Sequence, residues 1–173
     1  MASDASGPLL VIIGPPGAGK TKVGKRVARA LGLPFTDTDK VIVKRHGPIA
    51  DLFAEHGEPH FRAIERGTVA EALTRDGIVS LGGGAVLDPR TQADLRERRV
   101  ALITVDEDAV AERIEGAKRP LLAHGGVAAW KALVDQRRPL YEALATRTFD
   151  SSRRTMDSVA EDVVAWLREE DTR

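Results

Sequence analysis

"LVIIGPPGAGKTKVGKRVARAL", residues 10–31, decides the fold. Four apolar residues, Leu10 to Ile13, predict a buried strand over Leu9–Ile13. They run straight into Gly14-Pro15-Pro16-Gly17-Ala18-Gly19-Lys20-Thr21. Beyond that turn Val23, Val27, Ala28 and Leu31 recur at helical spacing, so an amphipathic helix over Gly19–Leu31 is expected to stop at Gly32. A strand that breaks into a glycine turn and then opens a helix is a structural unit with a purpose.

The purpose is anion binding. Glycines let the backbone curl round phosphate oxygens with its N–H groups inward and no Cβ in the way. The helix N-terminus adds a partial positive charge. Gly, four residues, then Gly-Lys-Thr is the P-loop pattern, here in its required strand–helix context. Lys20 is placed to neutralise β- and γ-phosphates and the Thr21 hydroxyl to ligate Mg²⁺. Candidate nucleotide contacts run through Gly17, Ala18, Gly19, Lys20, Thr21 and Lys22. The side chains of Lys22, Lys25, Arg26 and Arg29 read as the solvated face of the helix.

Composition narrows the class further. The 173 residues suit one domain with a sizeable core. Lys+Arg and Asp+Glu both total 26, which argues against broad attraction to nucleic acid or an anionic membrane. The absence of cysteine excludes disulfides, thiolate metal sites and cysteine nucleophiles. No apolar run approaches the ~20 residues of a membrane span. Met1 to Pro8 lacks the basic start and apolar stretch of a signal peptide. A monomeric, cytoplasmic enzyme without nucleic-acid or membrane partners is the expectation.

Elements then alternate along the chain. Short strands are expected at Pro34–Thr36, Ile78–Leu81, Val100–Val105 and Thr148–Asp150. A helical region runs from about Asp39 to Arg75 with interruptions at Gly47-Pro48 and Gly57–Pro59. Further helices are expected over Thr91–Arg98, from a cap at Asp106 to about Glu115, through Trp130 to Arg147, and over Met156–Arg168. In the last of these Met156, Val159, Val163, Trp166 and Leu167 form a core stripe. Gly116 to Gly126 reads as a polar loop. Alternating strands and helices imply a parallel sheet covered on both faces.

Three further motifs fall at strand or helix ends. Asp37-Thr38-Asp39 leaves the second strand at the sheet's carboxyl edge, where ligands of open α/β folds bind. Its two carboxylates either converge on a metal and a substrate hydroxyl or simply cap the next helix. Gly82-Gly83-Gly84 ends another strand, giving a ligand close access to backbone. Arg62 and Glu65 share a helix face, as site residues or as a surface pair. No Asn-Lys-x-Asp guanine-reading motif is present.

Gly14–Thr21, Asp37-Thr38-Asp39, Phe61-Arg62, Gly82–Gly84, Arg119-Pro120-Leu121-Leu122 and Arg137-Arg138-Pro139-Leu140-Tyr141 together resemble the shikimate kinase family in order and spacing, from about Leu9 to Leu167. That resemblance implies phosphorylation of the 3-hydroxyl of shikimate by ATP, in the chorismate route to aromatic amino acids. It also implies a P-loop fold of the nucleoside-monophosphate-kinase type, with a five-stranded parallel sheet and a mobile lid over about 116–126. Carried over by residue, Lys20, Asp39 and Arg119 are the catalytic candidates. Asp37 joins Thr21 at Mg²⁺, and Asp39 contacts the shikimate hydroxyls. Arg62 and Arg137 grip its carboxylate, with Glu65 and Gly82, Gly83 and Gly84 lining the substrate. Arg119 reaches the transferring phosphate from the lid. Arg154, and behind it Arg113, are assigned to the adenine side.

The rival readings are a kinase of similar fold for gluconate or a nucleotide, and a nucleotide-binding module that regulates a partner. Arg62 with Arg137 suits a carboxylate better than a base, and Lys20, Asp39 and Arg119 are all present. His56 and His60 are four apart, but Gly57 and Pro59 lie between them and no third ligand is evident. Arg98-Arg99 and Arg153-Arg154 have no interleaved aromatics to suggest nucleic acid.

Overall fold

The computed structural model describes residues 6–115 and 125–173. Five strands form one parallel sheet: β1 (Leu10–Ile13), β2 (Phe35–Asp37), β3 (Ile78–Ser80), β4 (Val100–Thr104) and β5 (Arg147–Asp150), in the order β2-β3-β1-β4-β5. Central β1 pairs Val11 with Val79 of β3 and with Val100 of β4. The helices are α1 (Lys20–Leu31), α2 (Thr38–His46), α3 (Ile49–His56), α4 (Glu58–Ala72), α5 (Pro89–Leu95), α6 (Glu107–Glu115), α7 (Gly126–Leu144) and α8 (Met156–Asp171).

The apolar run of β1 is buried because both of its faces are covered. Leu10 and Ile12 pack with Val23 and Val27 of α1 and Val159 and Val163 of α8. Val11 and Ile13 face the opposite way, into a core with Val69, Leu73, Leu95 and Tyr141. This explains why no polar alternation marks the strand. A third cluster of Ile42, Leu52 and Phe61 holds α2, α3 and α4 together beside the sheet.

The chain leaves β1 towards β2 on one side and later fills β4 and β5 on the other. The carboxyl end of β1 therefore lies where the strand order reverses, the place open α/β sheets offer to ligands. Gly14 starts the loop there with φ 148°, and a Cβ on it would stand 2.2 Å from the Ile103 carbonyl oxygen. No other residue lets the loop turn so close to β4.

Several boundaries differ from the sequence expectation. Gly57 alone separates α3 from α4, because Pro59 sits in the first turn of α4, where its missing N–H costs nothing. The helix expected to reach Arg147 ends at Leu144, and Arg147 already belongs to β5. Gly126 begins α7 instead of closing a loop. Residues 116–124 of the expected lid, with Arg119, lie outside the described residues.

Candidate active site

The phosphate loop is held open by bonds to its own backbone. Lys20 Nζ donates to the carbonyls of Gly14 at 2.8 Å and Pro15 at 3.0 Å. Three more side chains reach the loop from distant elements. Ser151, fully buried after β5, donates to the Ala18 carbonyl at 2.7 Å. Arg113 of α6 donates to the Gly17 carbonyl at 2.7 Å and to the Ser151 carbonyl at 2.6 Å. Trp130 of α7 donates through Nε1 to the Pro16 carbonyl at 2.8 Å.

Asp37 caps the next helix and also reaches the phosphate loop. Its Oδ1 accepts from the Lys40 N–H and caps α2, while Oδ2 accepts from the Thr21 hydroxyl at 2.5 Å. A hydroxyl and a carboxylate already in contact beside the phosphate loop are hard oxygen donors of the kind Mg²⁺ takes. Among the described residues no group of three or more His, Cys, Asp or Glu could hold a metal ion. A site with few protein oxygens fits Mg²⁺, which keeps waters and nucleotide phosphates as its other ligands.

The triple-glycine loop brings the remaining candidates together. A Cβ on Gly82 would stand 2.4 Å from Asp39 Oδ1. One on Gly84 would meet the Arg62 guanidinium at 2.4–2.7 Å, and one on Gly83 would lie 3.5 Å from Arg137 Nη1 and 3.1 Å from the Pro16 ring. Asp39, Arg62, Arg137 and the phosphate loop thus converge on one stretch of bare backbone. Buried Thr38 ties that stretch to the start of α2: its hydroxyl donates to the Ser80 carbonyl and accepts from the Gly82 N–H, each at 3.3 Å. From the other side the Tyr141 hydroxyl donates to the Gly83 carbonyl at 2.6 Å.

Arg62 and Glu65 are no surface pair. They bond at 2.8 Å with the Glu65 side chain only 5% exposed. Arg62 also reaches Glu58 at 3.3 Å and lies near the rings of Phe61 and Phe53, 5.3 and 6.0 Å from their centroids. Arg137 is buried on α7. Burial pushes the Glu65 carboxyl up from its usual range against the pull of Arg62. Burial, and then the charge of Asp37, push the Asp39 carboxyl up, with Lys20 and Arg62 opposing.

Two assignments sit apart from this cluster. Arg154 donates to the Ser158 hydroxyl and carbonyl at 2.9 and 3.0 Å and pairs with Asp162 at 2.8 Å, along α8. Arg113 bonds to the phosphate loop itself, at the Gly17 carbonyl, and to Ser151. The imidazoles of His56 and His60 stack at 4.5 Å between centroids, on the exposed corner between α3 and α4. Thr38, Trp130, Tyr141 and Ser151 were not among the site residues expected from the sequence. The available signal was chemical: a Trp or Tyr buried on a helix needs a partner for its polar end.

A phosphate loop at the strand-order reversal, oxygens for a divalent ion, a carboxylate for a hydroxyl and two arginines for an anion define a P-loop phosphotransferase acting on a small acceptor. The comparisons agree with that class and refine it. The family model described as shikimate kinase matches residues 16–168. A shikimate kinase of Thermobifida fusca is 46% identical over 160 residues, covering 91% of this chain and 93% of its own. One of Saccharopolyspora erythraea is 50% identical over 145 residues, covering 80% and 82%. The solved shikimate kinase of Acinetobacter baumannii in complex with shikimate superposes with a TM-score of 0.86 at 26% identity, covering 99% of this chain and 98% of that one. The chain belongs to the shikimate kinase family.

Proposed function

We propose that the chain transfers the terminal phosphoryl group of ATP to the 3-hydroxyl of shikimate, releasing ADP and shikimate 3-phosphate for chorismate and aromatic amino acid synthesis. One observation carries this reading: Asp39, Arg62 and Arg137 meet on the same three glycines that abut the phosphate loop at Pro16. Two guanidinium groups suit a planar carboxylate, and a carboxylate between them and the phosphates suits a hydroxyl.

In this reading Lys20 exchanges the Gly14 and Pro15 carbonyls for β- and γ-phosphate oxygens. Thr21 and Asp37 hold Mg²⁺, which shields phosphate charge when bound. Arg62, fixed by Glu65, and Arg137 anchor the carboxylate and so aim the 3-hydroxyl. The hydroxyl oxygen bonds to the γ-phosphorus as the bond to the β,γ-bridging oxygen breaks and ADP leaves. Asp39 accepts the hydroxyl proton late, since the transition state is loose and needs no alkoxide beforehand. Arg119 approaches the same phosphate from the lid. Equal numbers of acidic and basic residues argue against broad electrostatic attraction to nucleic acid or an anionic membrane, and the length of 173 residues suits one domain; the chain is taken as a cytoplasmic monomer in this reading. No helix among the described residues is long and apolar enough to cross a membrane.

A coupled assay of ADP release across shikimate, quinate, gluconate and nucleoside monophosphates tests the assignment. Turnover is expected with shikimate and MgATP, and far less with the others. Equal turnover on gluconate, or none on shikimate, overturns it.

A further inference from the structure

One face of α7 is buried yet has no chemical role in the mechanism apart from Arg137. Trp130, Val134, Arg137 and Tyr141 lie along that face, and all four are buried. The helix passes from one core to the other, with Trp130 and Val134 in the cluster that holds Ala109 and Val110 and Tyr141 in the cluster that holds Ala85, Val86 and Leu102. At one end the Trp130 indole N–H holds the Pro16 carbonyl of the phosphate loop. At the other the Tyr141 hydroxyl holds the Gly83 carbonyl of the acceptor loop. Both acceptors sit in stretches of glycine and proline, and the two loops touch, with the Pro16 ring 3.1 Å from where a Cβ on Gly83 would stand. The two donors are 11 residues apart on one helix, a span of ~16 Å at the α-helical rise, with Pro139 inside the helix between them.

We propose that α7 is the spacer setting the separation of phosphoryl donor and acceptor, with Trp130 and Tyr141 as the positioning residues at its two ends. The proposal rests on the shikimate-phosphorylating reading of the site. Rigid spacing matters because transfer needs the hydroxyl in line and in near contact with the γ-phosphorus, and a misplacement of about 1 Å can cost on the order of 10²-fold in rate. An indole N–H and a phenol O–H anchored in a packed core hold the Pro16 and Gly83 carbonyls, while backbone bonds hold the neighbouring Pro15, Gly82 and Gly84 carbonyls.

Tyr141→Phe removes one oxygen, and Trp130→Phe removes the N–H while keeping a ring. Each is expected to lower kcat by about 10–100-fold with less than threefold change in either KM. Each should also raise the share of ATP hydrolysed to ADP and phosphate without acceptor phosphorylation, because water tolerates misalignment that the bound hydroxyl does not. The double variant should cost no more than the worse single one, since a spacer released at one end no longer fixes the other. Thermal melts establish that the variants fold, and Tyr141→Phe decides the matter alone should Trp130→Phe not do so. A kcat and hydrolysis share within twofold of wild type in Tyr141→Phe overturn the spacer. So do losses that multiply in the double variant, which mark two independent loop anchors. Failure of the functional reading shows separately, as wild type that phosphorylates a different acceptor. The same two ratios are then measured on that acceptor.

Discussion

Burial and the Asp37 charge together outweigh Lys20 and Arg62 at Asp39, so the folded chain holds a proton there more tightly than the unfolded chain does. Stability must then fall as pH rises from the ordinary carboxylate range through the raised value, the reverse of a salt-bridged aspartate. Asp39→Asn removes that cost. At neutral pH its Tm should rise by roughly 1–4 °C while kcat falls on the order of 10²–10⁴-fold. A calorimetric Tm below wild type contradicts the burial argument. The ionised form accepts the hydroxyl proton, so the acid limb of the kcat/KM profile should lie above the usual carboxylate range. A limb at the ordinary aspartate value removes Asp39 from that role. The glycines offer a separate dissection. Gly84→Ala drives a methyl into the Arg62 guanidinium, whereas Gly82→Ala drives one into the Asp39 carboxylate. The first should raise the shikimate KM with kcat largely kept, and the second should chiefly lower kcat. Identical kinetic losses in both would mean that the loop acts as one unit and the two contacts are not separable.

At the scale of elements, what was legible followed from local pattern. β1 announced itself by four apolar residues and α1 by its helical stripe, while Gly32 closed α1 in a left-handed turn. Lys20, Asp37 and Asp39 were legible because they stand where an element begins or ends, whereas Arg62, Glu65 and Arg137 lie within helices and took their roles from the family resemblance. Contacts that tie one element to another were not. Trp130 reaches Pro16 across 114 positions and Ser151 reaches Ala18 across 133, and no short pattern encodes a partner so far away. The end of α7 was misplaced for a related reason: Arg147 suits a helix as well as a strand, and pairing with Ala101 of β4 settles it. Gly24 shows packing overriding propensity in the same way. It lies inside α1, where Ala would favour the helix by ~1 kcal/mol. A Cβ there would stand 2.4 Å from the Phe35 ring and 3.2 Å from Ile12. Gly24→Ala should therefore destabilise the chain by about 1–3 kcal/mol in denaturant unfolding. Unchanged or higher stability would mean that α1 can lift off the sheet without loss.

For the molecule as a whole, the open question is how the catalytic cleft is completed, and the flanks of the undescribed segment bear on it. Before the segment, Arg113 is bonded to the Gly17 carbonyl; after it, Trp130 is bonded to the Pro16 carbonyl. The chain therefore departs from the phosphate loop and returns to it. Arg119 is six residues beyond Arg113, within a fully extended reach of ~20 Å. The lid role implied by the resemblance to the family requires that guanidinium to reach the transferring phosphate from between these two flanks. A charge delivered by such a segment can arrive after both substrates bind, exclude water and meet the negative charge that develops on the transferring group. Arg119→Ala should then lower kcat by as much as ~10³–10⁵-fold, with a much smaller loss of ATP affinity measured by calorimetry. A solvated loop arginine predicts almost no change in either. Steady-state kinetics separates the two, and a kcat within threefold of wild type would remove Arg119 from the chemistry. ATP affinity falling as steeply as kcat would instead make it a ground-state phosphate clamp, with no preference for the transition state.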